Sequence, residues 1–293
     1  MSLFTGSGVA LVTPFKNNEV DYDKLKELIN WHVESKTDAI IVCGTTGESS
    51  TMSDEERKTV IKFVVDNVNK RIPVIAGSGS NNTHHAVELS KYCEEVGADG
   101  LLVVTPYYNK GNENGLIKHF TSIANAVKIP LILYNVPGRT GVNLKPQLVK
   151  RLSEVENIIA VKEASGDISQ VAEIARICPS DFDIYSGNDD MIVPLLALGG
   201  KGVISVVANV LPTDTHDLVM KFLENDIEGS RKLQLDMNGF VNSLFIEVNP
   251  VPVKTAMNIL GMEVGDVRLP LAEMKEENIE KLKEEMRKYG LKI

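Results

Sequence analysis

A lysine interrupts an apolar run near the middle of the chain, in the stretch IIAVKEASGD at residues 158–167. Lys162 follows four apolar residues that read as a strand buried on both faces. Burial disfavours the charged form of an amine, and a neutral amine can attack a ketone to form a Schiff base. The positive charge of that Schiff base then stabilises a carbanion. The alternative is a lysine paired with a carboxylate for structural reasons, and position alone leaves both interpretations open.

A tyrosine ends the preceding apolar run, PLILYN at residues 130–135. Neighbouring strands lie about 4.8 Å apart, so the Tyr134 hydroxyl is expected to reach chemistry at Lys162. A phenol can carry protons while a carbinolamine forms and loses water. A tyrosine that only fills the interior of a barrel is the alternative.

Two further segments have the composition of carboxylate-binding sites. The loop CGTTGESS at 43–50 combines glycines with the hydroxyls of Thr45 and Thr46, which suits a small anion. Arg139 follows an apolar run in YNVPGRTG at 134–141, and its planar guanidinium suits a second carboxylate. An ordinary tight loop and a surface arginine in a turn are the corresponding structural interpretations.

The elements that must position these residues alternate regularly. Eight β-branched apolar runs are separated by amphipathic segments, at residues 8–13, 38–44, 72–77, 99–105, 130–135, 158–162, 182–187 and 202–207. Runs of this kind are typical of parallel strands covered on both faces. The alternation predicts an α/β protein, a (β/α)8 TIM barrel, whose active-site residues lie at the carboxyl ends of the strands. No GxGxxG follows the first run, which argues against a doubly wound sheet.

Helix starts are marked by capping residues. Asp21 and Asp167 each precede an amphipathic segment, and Ser53 with Glu56 predicts a capping box. Residues 208 to 293 exceed what one last helix needs, so we predict a C-terminal helical extension. The predicted division is a catalytic (β/α)8 barrel at 1–224 and a C-terminal helical domain at 225–293.

Composition limits the classes of function. The net charge is −9, from 40 acidic and 31 basic residues, so neither nucleic acid nor a membrane surface is expected as a partner. No signal peptide and no apolar run of membrane length is recognised, which predicts a cytoplasmic protein. The three cysteines form no CxxC, and the strand ends hold no cluster of metal ligands, so no metal is expected.

Several motifs together resemble the dihydrodipicolinate synthase family, within the pyruvate-dependent class I aldolase superfamily that includes N-acetylneuraminate lyase. The motifs keep the order and spacing of that family across nearly the whole chain. They are GTTGES (44–49), TPYYN (105–109), YNVPGRTG (134–141), VKEASG (161–166), GVISV (202–206) and NPVPVK (249–254).

The resemblance implies a condensation of pyruvate with L-aspartate 4-semialdehyde to 4-hydroxy-tetrahydrodipicolinate, the first committed step toward diaminopimelate and lysine. Lys162 would form the Schiff base, so no added cofactor is implied. Tyr134, Thr45 and Tyr108 would relay protons, with Tyr108 reaching into the site of a neighbouring subunit. The implied substrate contacts are Thr45, Thr46, Gly187 and Ile204 for pyruvate and Arg139 for the aldehyde's carboxylate. Family members are usually homotetramers built as dimers of dimers, and some are dimers.

A regulatory pocket that binds lysine in some family members is matched only in part. The corresponding positions here are Ser50, Asp54, Arg57, Asn81, His85 and Tyr107. Asn81 and Tyr107 fit the pattern of lysine-inhibited members. Asp54 and Arg57 stand where some of them have histidines, and His85 stands where they have a glutamate. A pocket that loses an acid and gains an arginine should hold lysine's ammonium less well, which predicts weak or absent feedback inhibition.

Three other functions are weighed against this one. A related lyase acting on a keto-sugar acid would share the lysine and the tyrosine, but such relatives generally lack GRTG. A non-catalytic barrel that binds a keto acid would be favoured if Lys162 or Tyr134 were missing. A sugar-phosphate isomerase is disfavoured because SGNDDM and VVANVL contain no glycine-rich phosphate cradle.

Overall fold

Eight parallel strands close into a barrel in a computed structural model that describes residues 2–293, as the sequence predicts. β1 pairs with both β4 and β10, and this double pairing closes the sheet. The barrel strands are β1 Gly6–Ala10, β4 Ala39–Val42, β5 Val74–Gly77, β6 Gly100–Val104, β7 Leu131–Asn135, β8 Ile158–Glu163, β9 Asp183–Ser186 and β10 Gly202–Ser205.

The first strand is displaced from its predicted run at 8–13. β1 starts earlier and ends at Ala10, because the chain then leaves the barrel to form a small hairpin. The hairpin consists of β2 Phe15–Lys16 and β3 Glu19–Val20, and its two turn residues, Asn17 and Asn18, have positive φ angles. Asparagine tolerates that conformation, which two-residue hairpin turns of type I′ require. The apolar pattern of residues 11–13 reflects burial outside the sheet.

Helices surround the barrel, and the predicted capping residues begin three of them. The side chains of Asp21, Ser53 and Asp167 each accept hydrogen bonds from main-chain N–H groups in the first turn of the following helix. Glu56 does not complete the predicted capping box, because its carboxylate accepts hydrogen bonds from Arg268 instead. The first nine helices are α1 Tyr22–Glu34, α2 Asp54–Val68, α3 Thr83–Glu95, α4 Glu113–Ala124, α5 Pro137–Thr140, α6 Pro146–Leu152, α7 Ile168–Ile177, α8 Ile192–Leu196 and α9 Pro212–Leu223.

Three more helices follow the barrel, α10 Ile227–Ser243, α11 Val251–Ile259 and α12 Glu276–Tyr289. The predicted boundary at 224/225 falls between α9 and α10, and the division into domains there stays a prediction. Buried polar contacts join α10 to the barrel: Ser230 Oγ donates to the Leu218 carbonyl at 2.7 Å, and Gln234 Nε2 to the Asp189 carbonyl at 2.9 Å.

The barrel interior is filled at its amino end. Phe4 stacks on Tyr185 with ring centroids 4.4 Å apart, and the Tyr185 hydroxyl donates to the Phe4 carbonyl at 2.6 Å. Small and branched side chains continue this inner layer upward to Tyr134. Functional side chains are therefore left to the carboxyl end. None of the helices within residues 2–293 has both the length and the apolar character that crossing a membrane requires.

Candidate active site

Lys162 and Tyr134 face each other at the carboxyl end of the barrel. They are register partners on the adjacent strands β8 and β7. Lys162 is 5% exposed and Tyr134 is 7% exposed, and the Lys162 Nζ lies 4.4 Å from the centroid of the Tyr134 ring. The negative face of an aromatic ring attracts a cation and also excludes water from it. The amine is therefore held in a dry setting beside a phenol.

A structural ion pair does not explain this lysine. No carboxylate within residues 2–293 forms an ion pair with Lys162, and the neighbouring Glu163 is directed elsewhere. The Glu163 carboxylate accepts from Asn135 Nδ2 at 3.0 Å, from Gln170 Nε2 at 3.2 Å and from the Ser165 N–H at 2.7 Å. This buried network ties the ends of β7 and β8 together. It therefore fixes the strand pair that carries Tyr134 and Lys162.

The loop between β4 and α2 holds the two predicted threonines. Thr46 is buried, and its hydroxyl accepts a hydrogen bond from Asn249 Nδ2 at 3.0 Å. Thr45 is half-buried and lines the cavity described below. The backbone of Cys43, where this loop begins, packs directly against Gly77 at the end of β5. A Cβ atom at Gly77 would lie 2.3 Å from the Cys43 carbonyl oxygen, so this position requires glycine.

A second buried lysine anchors the same loop and was not identified from the sequence. Lys254, on α11, is 2% exposed, and its Nζ donates to Glu48 Oε1 at 3.0 Å. It also donates to the main-chain carbonyls of Thr13 and Asp266. All of its donors are used, so it serves as a structural anchor. The sequence feature that could have pointed to Lys254 is the NPVPVK motif, which contains both Asn249 and Lys254.

Arg139 lies at the mouth of the barrel. It is exposed, and its Nη2 donates to the main-chain carbonyl of Asn249 at 3.0 Å. Gly187, after β9, donates its N–H to the Glu163 carbonyl at 2.7 Å, and a Cβ atom there would lie 3.1 Å from Lys162 Cε. Ile204 is fully buried in the barrel interior. The structure thus places Gly187 directly against the lysine stem.

A cavity of about 380 Å³ opens beside this site. Among the predicted residues, those that line it are Thr45, Tyr134, Arg139, Ser50, Asp54, Arg57, His85 and Tyr107. The predicted residues outside its lining are Lys162, Thr46, Gly187, Ile204, Asn81 and Tyr108. One continuous space therefore connects the mouth of the barrel with most of the positions expected for a regulatory pocket.

The end of this cavity where the sequence predicts a regulatory pocket is lined by an acid, Asp54, and by a buried arginine, Arg57. His85 Nε2 lies 3.0 Å from Asp54 Oδ1, and the other ring nitrogen lies 3.3 Å from Ser80 Oγ. Arg57 is buried, and its Nη2 donates to the Gly77 carbonyl at 2.6 Å, whereas its Nε has no partner within residues 2–293. Asn81 lies outside the lining, and its carbonyl accepts from Asn109.

The two tyrosines after β6 are exposed to different extents. Tyr107 is 38% exposed and Tyr108 is 89% exposed. Tyr108 has a φ angle of 71°, which is uncommon for a bulky residue. The ring of Tyr108 is therefore almost entirely accessible in the single chain.

Two histidines and a cysteine are buried in their neutral forms. All five histidines lie in helices. Burial lowers the pKa of His32 to about 3 and that of His119 to about 4. Burial also raises the pKa of Cys43 to about 12. Within residues 2–293 no group of three or more His, Cys, Asp or Glu side chains is arranged to hold a metal ion.

A closed (β/α)8 barrel with a buried, unpaired lysine at its carboxyl end is the architecture of lyases of the class I aldolase type. A sequence model of the Dihydrodipicolinate synthetase family matches residues 3–289, and the chain belongs to that family. It is therefore an enzyme, a lyase of this family, as the motifs predicted.

Similar proteins support the same assignment over the full length. A protein of Acetivibrio thermocellus named 4-hydroxy-tetrahydrodipicolinate synthase is 62% identical over 289 residues, which cover 99% of this chain and 98% of that protein. The crystal structure of dihydrodipicolinate synthase from Aquifex aeolicus is 49% identical with a TM-score of 0.96, covering 98% of this chain and 99% of that one. A crystal structure of the Cyanidioschyzon merolae enzyme with lysine bound is 40% identical with a TM-score of 0.97, and the match covers 100% of both chains.

Proposed function

We propose that this enzyme condenses pyruvate with L-aspartate 4-semialdehyde to give 4-hydroxy-tetrahydrodipicolinate, in the cytoplasm, as the first committed step toward diaminopimelate and lysine. The observation that carries the proposal is the buried Lys162 amine, 4.4 Å from the Tyr134 ring centroid and without an ion-pair partner in residues 2–293. Similarity over nearly the whole chain to a protein named as this synthase supports the choice of substrates.

The first half of the reaction activates pyruvate. Lys162 Nζ attacks the ketone carbon, and the ketone oxygen leaves as water to give a protonated imine. Tyr134, Thr45 and a Tyr108 from a neighbouring subunit carry the protons. Thr45 and Thr46 hold the pyruvate carboxylate, and main-chain groups at Gly187 and Ile204 line its pocket.

The second half forms the new carbon–carbon bond. The imine charge draws electrons from the methyl carbon, which loses a proton and attacks the aldehyde carbon as an enamine. The aldehyde C=O double bond opens, and its oxygen takes up a proton to become the 4-hydroxyl group of the product. The amino group of the second substrate then attacks the imine carbon and displaces Lys162. The whole reaction releases one water molecule, and the lysine imine supplies the electron sink without an added cofactor.

Arg139 selects the second substrate by its carboxylate. The guanidinium lies at the mouth, anchored by one nitrogen to the Asn249 carbonyl, and keeps other donors for a carboxylate. A keto-sugar acid lyase is the second candidate, because it would use the same lysine and tyrosine. Coupled assays with pyruvate plus each aldehyde separate the two. Turnover with the sugar-derived aldehyde alone would contradict the proposal.

Borohydride reduction in the presence of pyruvate tests the mechanism. We expect a pyruvyl adduct on the peptide that contains Lys162, because reduction converts the imine into a stable amine. Lys162→Arg should abolish both the adduct and activity. Lys118→Arg, at an exposed position on α4, is the matched control and should change neither. An adduct on another lysine, or none, would overturn the proposed function.

The proposed assembly is a homotetramer built as a dimer of dimers. The Tyr108 ring, 89% exposed in the single chain, supports its reach into a neighbouring site. We expect Tyr108→Phe to impair the reaction. Mixing it with an inactive Lys162→Arg chain should restore part of the activity, since one of the two sites in each mixed pair then combines an intact Lys162 from one subunit with an intact Tyr108 from the other. A fully active monomer would contradict this assembly.

We also propose that lysine inhibits this enzyme weakly or not at all. The cavity has His85 where lysine-inhibited members have a glutamate, it adds the guanidinium of Arg57, and Asp54 already pairs with His85. Initial rates should stay unchanged as lysine is raised through the sub-millimolar range at fixed substrate. A saturable inhibition curve in that range would refute this expectation.

A further inference from the structure

Asn249 is the point where the C-terminal segment meets the active-site loop. It lies between α10 and α11, and it is 5% exposed. Its side-chain Nδ2 donates to Thr46 Oγ1 at 3.0 Å, and its main-chain carbonyl accepts from Arg139 Nη2 at 3.0 Å. One residue therefore contacts two of the three side chains to which the proposed function assigns substrate carboxylates, one for each substrate.

The side chain of Asn249 has no other bond in the part of the chain that the structure describes. Its Oδ1 is buried and has no hydrogen-bond partner within residues 2–293. A buried amide that only supported the fold would be expected to satisfy both ends. Its single bond to Thr46 indicates that the amide acts on that hydroxyl.

The direction of this bond determines what Thr46 can do. A threonine hydroxyl has one donor and two acceptor positions. Because Asn249 Nδ2 occupies an acceptor position, the hydroxyl proton of Thr46 stays available for an anion. Thr46 itself is 2% exposed, so bulk water does not compete for that proton.

We infer that Asn249 is a positioning residue that orients the Thr46 hydroxyl toward the carboxylate of the first substrate and holds the Arg139 guanidinium for the second. Its side chain contacts the hydroxyl that binds the first substrate, and its main-chain carbonyl contacts the guanidinium that binds the second. The inference rests on the proposed function. It makes the C-terminal extension part of the substrate-binding apparatus.

Side-chain substitutions separate the two roles, because they leave the main-chain carbonyl in place. In Asn249→Ala, the pyruvate concentration that gives half-maximal borohydride trapping should rise about 3- to 10-fold, the value of one hydrogen bond. The KM for the aldehyde should change less than about twofold, since the carbonyl that holds Arg139 remains. Asn242→Ala, an exposed asparagine on α10, is the matched control and should alter neither value.

Asn249→Asp tests the direction of the hydrogen bond. An aspartate can only accept, so it would draw the Thr46 proton away from the substrate and repel its carboxylate. The pyruvate concentration that gives half-maximal trapping should therefore rise on the order of 30-fold in Asn249→Asp, more than in Asn249→Ala. A rise no larger than that of Asn249→Ala would overturn the assigned direction and with it the inference.

A double-variant cycle with Thr46→Val completes the test. If Asn249 acts through the Thr46 hydroxyl, Asn249→Ala should have less than about a twofold effect once that hydroxyl is removed. Additive effects, or equal losses for both substrates, would contradict the inference.

Asn249→Ser, whose shorter side chain does not span the gap, replaces the alanine variant if that one fails to fold. Absence of a Lys162 adduct in the unaltered enzyme would instead defeat the proposed function itself.

Discussion

Gly187 shows how closely the residues at the site are packed around the lysine. A Cβ atom added there would lie 2.6 Å from the Ala164 Cβ and 3.1 Å from Lys162 Cε. Its N–H also donates to the Glu163 carbonyl, so the strand cannot move away without losing that bond. The space beside the lysine stem is therefore reserved for a residue without a side chain.

Gly187→Ala should displace Lys162 and lower kcat/KM about 100-fold, because a shift near 1 Å at a reacting group costs that much. Steady-state kinetics with both substrates measure the effect. Gly111→Ala is the matched control, since a Cβ atom there meets only Leu116 at 3.8 Å, and it should keep full activity. Normal kinetics in Gly187→Ala would mean that the lysine stem tolerates the shift.

At the same scale, the sequence predicts the candidate chemical groups more readily than the residues that support them. Lys162, Tyr134 and Arg139 are conspicuous because each ends or follows a buried run. Asn249 and Lys254 are not, because a short polar residue between helices and a lysine on a helix are ordinary surface features. Only the fold reveals that both are buried against the loop at residues 44–48.

Among the elements, the loop between β4 and α2 is held by contacts with the C-terminal segment. Glu48, with a φ angle of 54°, is buried and accepts from both Lys254 Nζ and the Arg268 N–H. Lys254 and Arg268 also lie over the ring of Phe15 in the hairpin, 4.5 Å and 4.0 Å from its centroid. Loop, hairpin and C-terminal segment form one buried cluster.

Lys254→Met should lower the free energy of unfolding by about 3–5 kcal/mol, because it leaves the Glu48 carboxylate buried without its cation. Urea denaturation at neutral pH measures the change. Lys62→Met breaks an exposed pair with Asp66 and should cost only about 0.5 kcal/mol. Adding Glu48→Gln to Lys254→Met removes the stranded charge and should recover part of the loss. No recovery would indicate that packing of the lysine stem dominates.

Elements were predicted well where local chemistry defines them. Eight strands and the caps at Asp21, Ser53 and Asp167 were confirmed, because apolar runs and capping side chains act within a few residues. The end of β1 and the hairpin were missed. Residues 11–13 are as apolar as a strand, and only their packing against distant segments, such as Val12 N–H on Asn209 Oδ1, shows that they lie outside the sheet.

For the whole molecule, buried histidines predict sensitivity to acid. His32 and His119 stay neutral in the fold, with pKa values of about 3 and about 4 against 6.5 in an unfolded chain. The unfolded chain therefore binds these protons first as the pH falls. Stability is full above pH 6.5 and is lost as the pH falls from there toward 4, by about 1.4 kcal/mol per pH unit for each histidine.

His119→Gln should flatten that slope by the share of one histidine. Thermal or urea unfolding between about pH 4.5 and 6.5 measures the free energy of unfolding of the variant and of the unaltered enzyme. The slopes of that free energy against pH should differ by about 1.4 kcal/mol per pH unit. His84→Gln is the control, because His84 is exposed at the start of α3 and should leave the slope unchanged. An equal slope in His119→Gln would mean that His119 becomes protonated in the folded state at the same pH as in the unfolded chain.

The bond between Asn249 and Thr46 also sets a rule for recombining this enzyme with its relatives. A hybrid that takes its barrel from one parent and its last helices from another assembles the proposed pyruvate pocket from both. Such a hybrid keeps its substrate affinity only if the incoming segment carries an amide at position 249 and a cation at position 254. Crossover points placed at 224/225 therefore exchange part of the proposed active site together with the helices.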